Sequence, residues 1–263
     1  MATINNKTVW ITGASSGIGE ALAYELASRN CKLILSARNE EALQNVKQNC
    51  GNANVVVLPL DLNDISAAPE KANQAIAAFG PIDILINNAG ISQRSLIIET
   101  DIEVDRRLME TDYLGTVALT KALLPHFVGN QKGQFVTITS LMGKFGSPYR
   151  SGYCGAKHAL HGFFDVLRME HQEDHIKVTL ICPGFIQTNV AKNALTADGS
   201  KQMTDDVATQ NGMPVAVFAK KCVTAMESNT FEAYIGGKET FGVFLKRFFP
   251  KWLHYQVLKS TYR

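Results

Sequence analysis

The sequence predicts an α/β fold in one domain, a doubly wound parallel sheet with helices on both of its faces. Short runs of apolar and β-branched residues alternate along the chain with longer helical patterns. Runs such as NVVVL and DILIN are apolar on successive residues, which is typical of strands covered on both sides. No linker, repeat or low-complexity tract interrupts this alternation, so the 263 residues are expected to form repeated βαβ units in one domain.

Six strands are predicted from the apolar runs, at residues 8–12, 33–36, 55–58, 84–87, 135–139 and 178–182. The first helix is predicted to start near Gly17, because Ile18, Leu22 and Leu26 recur on one helical face. A later helix, in the segment LGTVALTKALLP, is expected to stop at Pro125, since proline lacks the backbone donor that a helix interior needs.

Composition and charge restrict the class of protein. With 46% hydrophobic and 19% charged residues the chain is expected to be globular, and a formal charge of +2 implies no basic face for nucleic acid. The apolar runs are shorter than a bilayer-crossing helix and the start MATINNKTVW holds no signal-peptide core, so a soluble cytoplasmic protein is expected. Five scattered cysteines, never spaced C-x-x-C, indicate reduced buried thiols rather than disulfides or a metal site.

Three glycines, Gly13, Gly17 and Gly19, stand in the stretch VWITGASSGIGEALAYELA between the first strand and the first helix. Backbone N–H groups in such a turn point outward and the helix dipole adds positive potential, so an anion such as pyrophosphate fits there. Glycine permits the positive φ angles and the close backbone approach that this contact requires. The spacing differs from G-x-G-x-x-G and no P-loop lysine follows, so a turn with only a packing role is the alternative.

Two further motifs follow in order, DILINNAG at residues 83–90 and SGYCGAKHAL at residues 151–160, with a serine thirteen residues before the tyrosine. Together with TGASSGIG they resemble the short-chain dehydrogenase/reductase family over residues 7–190. The resemblance implies a Rossmann-like fold and an oxidoreductase that moves a hydride between nicotinamide and a carbonyl or secondary alcohol carbon. The stretch NNAGISQRSL and the C-terminus are similar to the branch of hydroxysteroid dehydrogenases and retinal reductases, which suggests a bulky lipophilic substrate.

Tyr153 and Lys157 stand four residues apart where a helix is expected to begin, so both side chains project from one helical face. An ammonium beside a phenol favours the phenolate, which lets the pair act as general acid and base. A solvated Tyr/Lys pair is the alternative interpretation. The resemblance implies that Tyr153 exchanges the proton on the substrate oxygen, that Lys157 assists it and binds the nicotinamide ribose, and that Ser140 polarises the same oxygen.

Asp112 departs from the family pattern. Family members usually carry an asparagine here, where it helps to hold a water that links the catalytic lysine to solvent. Aspartate still supplies the backbone carbonyl, so activity is expected, with a pH profile altered by an acidic side chain near Lys157. An Asp112 that faces away in an ordinary ion pair is the alternative.

The end of the second predicted strand, in KLILSARNEEAL, indicates the cofactor. A fold selective for NAD usually places a carboxylate there to bind the ribose 2′-hydroxyl, whereas a 2′-phosphate calls for a cation. Ala37 takes the acidic position and Arg38 follows it, which favours NADP(H), because arginine matches phosphate in charge and geometry. A solvated arginine before a helix is the alternative.

The resemblance also implies the remaining cofactor contacts. Asp61 and Leu62 match the adenine contacts, and PGFIQT matches the stretch that holds the nicotinamide carboxamide. The expected cofactor-binding residues beyond Arg38, Tyr153 and Lys157 are Gly13, Ser15, Ser16, Gly17, Ile18, Gly19, Asp61, Leu62, Asn88, Ala89, Gly90, Pro183, Gly184, Ile186 and Thr188.

Residues 189–215 fall where family members keep a mobile substrate lid, and their polar, glycine-containing sequence suits a loop with short helices. Large side chains nearby are candidates for the substrate wall or for the core, namely Met142, Phe145, Tyr149 and Phe185. Homologues commonly pair the helices around residues 108–127 and 153–171, so a homodimer or homotetramer is expected. Gly115, Ala118 and Gly162 would allow close approach of two subunits, or would pack on the sheet.

Two other functions remain open. A non-catalytic dinucleotide-binding sensor or scaffold would share the fold, but would normally have lost Ser140, Tyr153 or Lys157. A lyase or epimerase of the wider superfamily tends to be longer and to have a different glycine spacing.

Aromatic and cationic residues interleave in the tail FGVFLKRFFPKWLHYQVLKSTYR, residues 241–263. Rings at the headgroup level, with lysine and arginine on anionic lipid, are the chemistry of an interfacial membrane anchor. The favoured interpretation is that the apolar face of the tail closes over the substrate pocket or a neighbouring subunit, since Pro250 divides the tail into two short halves.

Overall fold

The computed structural model describes residues 3–51 and 54–259 and is built around one parallel sheet. Its strands are β1 (Thr8–Thr12), β2 (Lys32–Ser36), β3 (Val55–Val57), β4 (Ile84–Asn87), β5 (Gly133–Ile138), β6 (Ile176–Pro183) and β7 (Glu232–Ile235). Their order is β3-β2-β1-β4-β5-β6-β7, and every neighbouring pair is parallel. The order reverses between β1 and β4, which opens a crevice at the carboxyl ends of the strands.

Helices surround this sheet, as the predicted doubly wound α/β fold requires. They are α1 (Gly17–Ala27), α2 (Glu40–Asn49), α3 (Ala68–Phe79), α4 (Ile102–Leu108), α5 (Gly115–Gly129), α6 (Ser151–Glu170), α7 (Val207–Gln210), α8 (Val215–Glu227), α9 (Phe241–Phe248) and α10 (Pro250–Lys259). A π-helical turn, Met109–Leu114, joins α4 to α5. In the described parts of the chain no helix combines the length and apolarity needed to cross a membrane.

Successive residues of β1 enter two different cores, which explains its uninterrupted apolar sequence. Val9 and Ile11 pack with α1, α2 and α8 on one face of the sheet, whereas Trp10 packs with α3, α5 and α6 on the other. The indole N–H of Trp10 donates to the hydroxyl of Ser36 at 2.8 Å, so its polar atom is satisfied in the core. Each large apolar side chain buried in this way contributes roughly 1.5–3 kcal/mol to stability.

Several elements differ from those predicted. The short strand β7 is missing from the six predicted strands, because its four residues are mostly half buried and form no apolar run. β5 begins at Gly133 and β6 ends at Pro183, so both are longer than predicted. The helix expected to stop at Pro125 continues to Gly129, since Phe127 is fully buried with its ring 4.8 Å from that of Phe135. Burial of Phe127 outweighs the single backbone bond that proline removes.

The small residues expected between subunits have different surroundings. A Cβ on Gly115 would overlap the carbonyl oxygen of Leu62, so this glycine allows α5 to pack within the domain. Gly162 is exposed on α6 with open space around it. Of these two glycines, Gly162 is therefore the one available for close approach by another molecule.

Candidate active site

A cavity of about 930 Å³ opens at the carboxyl ends of the strands. Every catalytic or cofactor-binding residue expected from the sequence lines this cavity except Gly19 and Asp112. These two are buried, and both touch residues that do line it, as described below. The fold therefore brings together residues that are up to 175 positions apart in the sequence, from Gly13 to Thr188.

The glycine turn has the backbone geometry of an anion cradle. Gly13 and Gly17 have positive φ angles of 64° and 58°. A Cβ on Gly13 would also lie 2.8 Å from the Cα of Ala89, so a side chain is excluded by space as well as by conformation. Ser16 precedes α1 and makes no side-chain capping bond, which leaves the first-turn N–H groups available to a ligand. This arrangement fits the pyrophosphate of a dinucleotide.

Gly19 and Asn88 support the turn from behind. A Cβ on Gly19 would overlap the carbonyl oxygen of Gly13, so Gly19 permits packing rather than lining the cavity. The side-chain amide of Asn88 donates to the carbonyls of Thr12 at 2.9 Å and Gly13 at 3.2 Å. The Thr12 hydroxyl accepts the N–H groups of Asn88 and Ala89 at 3.0 and 3.1 Å. These bonds fix the turn to the end of β4.

Three elements position the expected catalytic side chains. Ser140 follows β5, and its hydroxyl oxygen accepts the Met142 N–H at 3.1 Å, which leaves the O–H free to donate to a ligand. Tyr153 and Lys157 lie one turn apart in α6, with Lys157 Nζ 5.7 Å from the centroid of the Tyr153 ring. Lys157 Nζ also donates to the Ile138 carbonyl at 3.4 Å. The geometry suits proton exchange and hydrogen bonding at one substrate oxygen.

Asp112 does not face away from the site. The π-helical turn carries it under Gly90, where Oδ2 lies 3.2 Å from Lys157 Nζ and Oδ1 accepts the Ile91 N–H at 2.7 Å. A Cβ on Gly90 would lie 3.1 Å from both Asp112 Oδ2 and Lys157 Nζ, so a side chain at this position would press on the pair.

Burial and charge oppose each other in this pair. Burial raises the pKa of Asp112 even though Lys157 and the Ile91 N–H favour its carboxylate. Burial alone would lower the pKa of Lys157, but the negative charges of Asp112 and Tyr153 outweigh it, so the pKa of Lys157 is raised. The lysine is therefore held as an ammonium, with part of its field directed at a carboxylate rather than at Tyr153.

Gln93 is a site residue that the sequence analysis missed. Its Oε1 accepts the N–H of Gly152 at 2.9 Å and that of Tyr153 at 3.4 Å. Helix α6 has no side-chain cap of its own at Arg150, so Gln93 takes the place of a capping residue. Its Nε2, with two hydrogens to donate, lies within hydrogen-bond distance of three hydroxyls, those of Ser95, Thr100 and Ser151. The side chain is thus fully engaged in fixing the start of the helix that carries Tyr153.

The adenosine end of the cavity is open and short of acidic groups. Ala37 and Arg38 line it after β2, and Arg38 is exposed, with no carboxylate within ion-pair distance in the described ranges. Asp61 is turned toward the chain, since its carboxylate accepts the Asn63 N–H at 3.0 Å. Among the described residues that line the cavity, only Asp61 and Glu239 are acidic. This end therefore presents the exposed guanidinium of Arg38 next to Ala37, which supplies no carboxylate.

The opposite end is formed by the segment after β6. Pro183, Gly184, Ile186 and Thr188 line the cavity as expected, and the Thr188 side chain lies beside Gly17. Glu239, which the sequence analysis did not single out, accepts the N–H groups of Phe185 and Gly237, each at 2.9 Å. Its carboxylate occupies the space that a side chain at Gly184 would need.

Part of the remaining wall is apolar and includes residues of the C-terminal helices. It contains Ile91, Met142, Phe145, Phe185, Leu195, Leu245, Leu253 and Val257. Tyr149, expected as a candidate wall residue, does not line the cavity. Residues 260–263 of the predicted tail lie outside the described residues.

A buried ion-pair cluster connects the segment 189–215 to the body of the site. Asp206 Oδ2 lies 2.7 Å from Arg94 and 3.3 Å from Arg150; Asp206 and Arg150 are buried, and the Arg94 side chain is only 9% exposed. Burial and the neighbouring Arg94 lower the pKa of Arg150 to about 10. No local sequence pattern indicates this cluster, because its members are distant along the chain.

The family model described as short chain dehydrogenase matches residues 7–199. The chain belongs to the short chain dehydrogenase family. It is 38% identical over 257 residues to "Dehydrogenase/reductase SDR family member 7" of Mus musculus, covering 95% of this chain and 76% of that protein. It is 44% identical over 216 residues to "Dehydrogenase/reductase SDR family protein 7-like" of Anopheles gambiae, covering 80% of this chain and 68% of that one.

Solved structures of other short chain dehydrogenases share the fold. One from Streptomyces avermitilis has a TM-score of 0.81 and 25% identity, covering 96% of this chain and 97% of its own. One from Burkholderia cenocepacia in complex with NADP has a TM-score of 0.81 and 23% identity, covering 98% and 100%. One from Burkholderia phymatum in complex with NAD has a TM-score of 0.84 and 21% identity, covering 97% of each chain.

Family membership makes this chain a short chain dehydrogenase, an oxidoreductase with a fold that binds a nicotinamide dinucleotide. The Rossmann-like architecture expected from the motifs is confirmed by the seven-stranded parallel sheet and by these neighbours. The neighbours hold both NAD and NADP, so the choice of dinucleotide depends on this chain's own residues.

Proposed function

We propose that this protein is an NADP(H)-dependent oxidoreductase that transfers a hydride between nicotinamide and the carbonyl or secondary alcohol carbon of a bulky lipophilic substrate. One observation carries the proposal: Ser140, Tyr153 and Lys157 line the same cavity as the glycine turn, beside a large apolar wall. A dinucleotide and a substrate therefore have adjoining places in one site.

The chain's own residues can perform the proton chemistry. NADP(H), when bound, supplies or accepts the hydride. Tyr153 donates its phenolic proton to the substrate oxygen during reduction and removes the alcohol proton during oxidation. Ser140 donates a hydrogen bond to the same oxygen, where negative charge develops. The Lys157 ammonium, 5.7 Å from the Tyr153 ring, favours the phenolate that remains after proton transfer.

The preference for the phosphorylated cofactor rests on Arg38 and Ala37. Arg38 is exposed at the cavity edge and free to form a paired contact with a 2′-phosphate. Ala37 supplies no carboxylate for an unmodified ribose. Exposed Glu40 and Glu41 begin α2 but do not line the cavity, so they do not take that place.

The apolar wall supports the choice of substrate class. Phe145 and Phe185 line it together with Leu245 and Leu253 from the C-terminal helices. Such a surface contributes about 25 cal/mol per Å² of ligand surface that it removes from water. A ring system or long hydrocarbon chain attached to the reacting carbonyl fits this wall better than a small polar substrate.

The proposal is tested by incubating the purified protein with NADPH and a panel of aromatic, alicyclic and long-chain carbonyl compounds. Oxidation of NADPH with at least one of them is expected, and Tyr153→Phe should abolish it while weakening NADPH binding far less than it lowers turnover. Tyr24→Phe, far from the cavity on α1, serves as the matched control. Unchanged turnover in Tyr153→Phe would show that Tyr153 is not the proton donor. NADPH binding by the unaltered protein without turnover of any compound would favour a non-catalytic sensor or scaffold.

A further inference from the structure

The two C-terminal helices have an inner face that packs on the active site. Gly242, Leu245 and Leu253 are buried, and Leu245 and Leu253 join a small core with Phe145 and Leu141. A Cβ on Gly242 would lie 2.8 Å from the Phe145 ring, so the contact is close. This face behaves as the packing interpretation of the tail expects, and it leaves the other face of both helices to be explained.

The outer face exposes a continuous set of large side chains, here named the aromatic patch. Its members are between 47% and 63% exposed: Phe241, Phe244, Phe248, Phe249, Trp252, Tyr255 and Leu258. Neighbouring rings touch, with centroids 5.3 Å apart for Phe241 and Phe244 and 4.9 Å apart for Phe244 and Phe248. At roughly 150–250 Å² for each aromatic side chain, the patch leaves on the order of 700 Å² in water. Monomeric soluble proteins rarely expose a patch of that size without a partner.

The charged residues on the two helices of the patch all have one sign. Lys246, Arg247, Lys251 and Lys259 are exposed on the same two helices, and residues 240–259 contain no aspartate or glutamate. Within the described chain none of these cations makes an ion pair with a carboxylate. A twofold contact between two copies of this face would place like charges opposite each other, which disfavours self-association. The patch fits an anionic surface instead.

We propose that the aromatic patch docks the protein on the surface of an anionic lipid bilayer. The rings would enter the headgroup region while the lysines and arginine meet lipid phosphates and carboxylates. The inner face of the same helices lines the cavity, so a docked molecule has its apolar wall next to the bilayer. This second step rests on the proposed function, and it lets a lipophilic carbonyl substrate pass from the lipid into the site without crossing bulk water.

Tryptophan fluorescence gives a direct measurement of docking. The chain has two tryptophans, of which Trp10 is fully buried in the sheet core and Trp252 is half exposed in the patch. The whole protein is mixed with phosphatidylcholine vesicles that contain about 30% phosphatidylserine, or with phosphatidylcholine alone. A blue shift of the Trp252 emission, and quenching by brominated lipid, are expected with the anionic vesicles and much less with the neutral ones.

Matched variants distinguish docking through the aromatic patch from nonspecific adsorption of the protein to vesicles. The charge reversal Lys246→Glu/Lys251→Glu should lower the vesicle partition coefficient at least tenfold, because each cation contributes about fivefold. The pair Phe248→Ser/Phe249→Ser should also lower it at least tenfold, because two rings no longer enter the headgroup region. Lys220→Glu/Lys221→Glu on α8 and Ile98→Ser in an exposed loop are the controls. None of the substituted patch residues lines the large cavity, so turnover of a water-soluble carbonyl should not change.

Three outcomes would overturn the proposal. They are no binding of the intact protein to anionic vesicles, equal binding by patch variants and controls, and loss of an oligomer in the patch variants without any vesicle binding. The last outcome would show that a second copy or another protein covers the patch. Vesicle binding is measured without cofactor or substrate, so its failure and failure of the proposed oxidoreductase activity are distinguishable.

Discussion

Asp112 Oδ2 and Lys157 Nζ lie 3.2 Å apart in the interior, with their side chains 0% and 5% exposed. A buried ion pair of this kind is stable only while both partners are present, since each compensates the desolvation of the other. The pair also divides the influence of Lys157 between Asp112 and Tyr153. The acidic residue is therefore expected to tune the catalytic lysine without touching the substrate.

The substitution Asp112→Asn should shift the pH dependence of alcohol oxidation to lower pH. The change removes the anion that raises the pKa of Lys157, so the alkaline limb of the profile, where the ammonium is lost, moves down.

The measurement is kcat/KM for alcohol oxidation as a function of pH. Asp165→Asn, a half-exposed carboxylate on the outer side of α6, is the matched control and should leave the profile unchanged. Superimposable profiles for Asp112→Asn and the unaltered protein would show that the carboxylate does not act on the pair.

Arg38→Ala should weaken NADPH binding by about 1.5–3 kcal/mol, the contribution of a hydrogen bond to a charged group. NADH, which lacks the 2′-phosphate, should bind nearly as before. Titration of both cofactors by fluorescence or calorimetry measures the difference, with Lys47→Ala at the far end of α2 as a control. Equal losses for both cofactors would end the assignment of Arg38 to the phosphate.

Gln93→Met should lower kcat more than it weakens cofactor binding. The change removes the acceptor of the Gly152 and Tyr153 N–H groups, which costs about 1 kcal/mol in comparable helix caps and lets the start of α6 move. Gln93→Glu keeps an acceptor oxygen, and the Ser95 and Ser151 hydroxyls beside it can turn to donate, so it should restore most of the lost kcat. A similar kcat in both variants and the unaltered protein would show that Gln93 does not act on catalysis through the position of Tyr153.

The strands were predictable because burial on both faces leaves a clear pattern. Val9, Trp10 and Ile11 are all apolar since they enter two cores, and the same holds for residues 84–86 of β4. β7 lies at the sheet edge, half exposed, and gives no such pattern. The predicted end of α5 at Pro125 was wrong for a related reason, because burial of Phe127 overcame the local preference of proline to end a helix.

The site was predictable where its chemistry is local. The glycine turn and the pair Tyr153 and Lys157 lie within single turns of the chain, so their spacing indicates their geometry, while their roles were expected from the family resemblance. Gln93 caps a helix 59 residues away in the sequence, and Asp206 meets Arg94 across 112 residues. Contacts of this range depend on the complete fold, and nothing in the nearby sequence marks them.

A two-fold oligomer through α5 and α6 stays a prediction. Gly162 has open space around it, and Val166 and Met169 are exposed on the same helix, so this face is apolar and close approach is possible. Gly162→Arg should therefore give a monomer by light scattering at micromolar concentration, with the fold retained by circular dichroism. A monomeric mass for the unaltered protein would contradict the predicted oligomer.

Glu232→Gln should destabilise the protein at neutral pH but much less in acid. Glu232 Oε1 accepts His161 Nδ1 at 3.1 Å and Lys144 Nζ at 2.9 Å, and its other oxygen accepts the Tyr234 hydroxyl. The bonds from His161, Tyr234 and Lys144 outweigh burial, so they hold the pKa of Glu232 well below its usual range. A lowered carboxyl pKa adds stability above the unfolded value of about 4.3, and this is lost as the pH falls toward the folded value.

The free energy of unfolding in urea, measured for both proteins at pH 7 and in acid, gives the test. At pH 7 the variant should be about 1.5–3 kcal/mol less stable, the contribution of hydrogen bonds to a charged group. The gap should narrow below about pH 4. There the Glu232 carboxyl of the unaltered protein is protonated in the unfolded state, and this protonation stabilises the unfolded state. Glu170→Gln at the exposed end of α6 should match the unaltered protein at both pH values. A gap that stays constant with pH would mean that the Glu232 cluster acts through packing rather than through its charge.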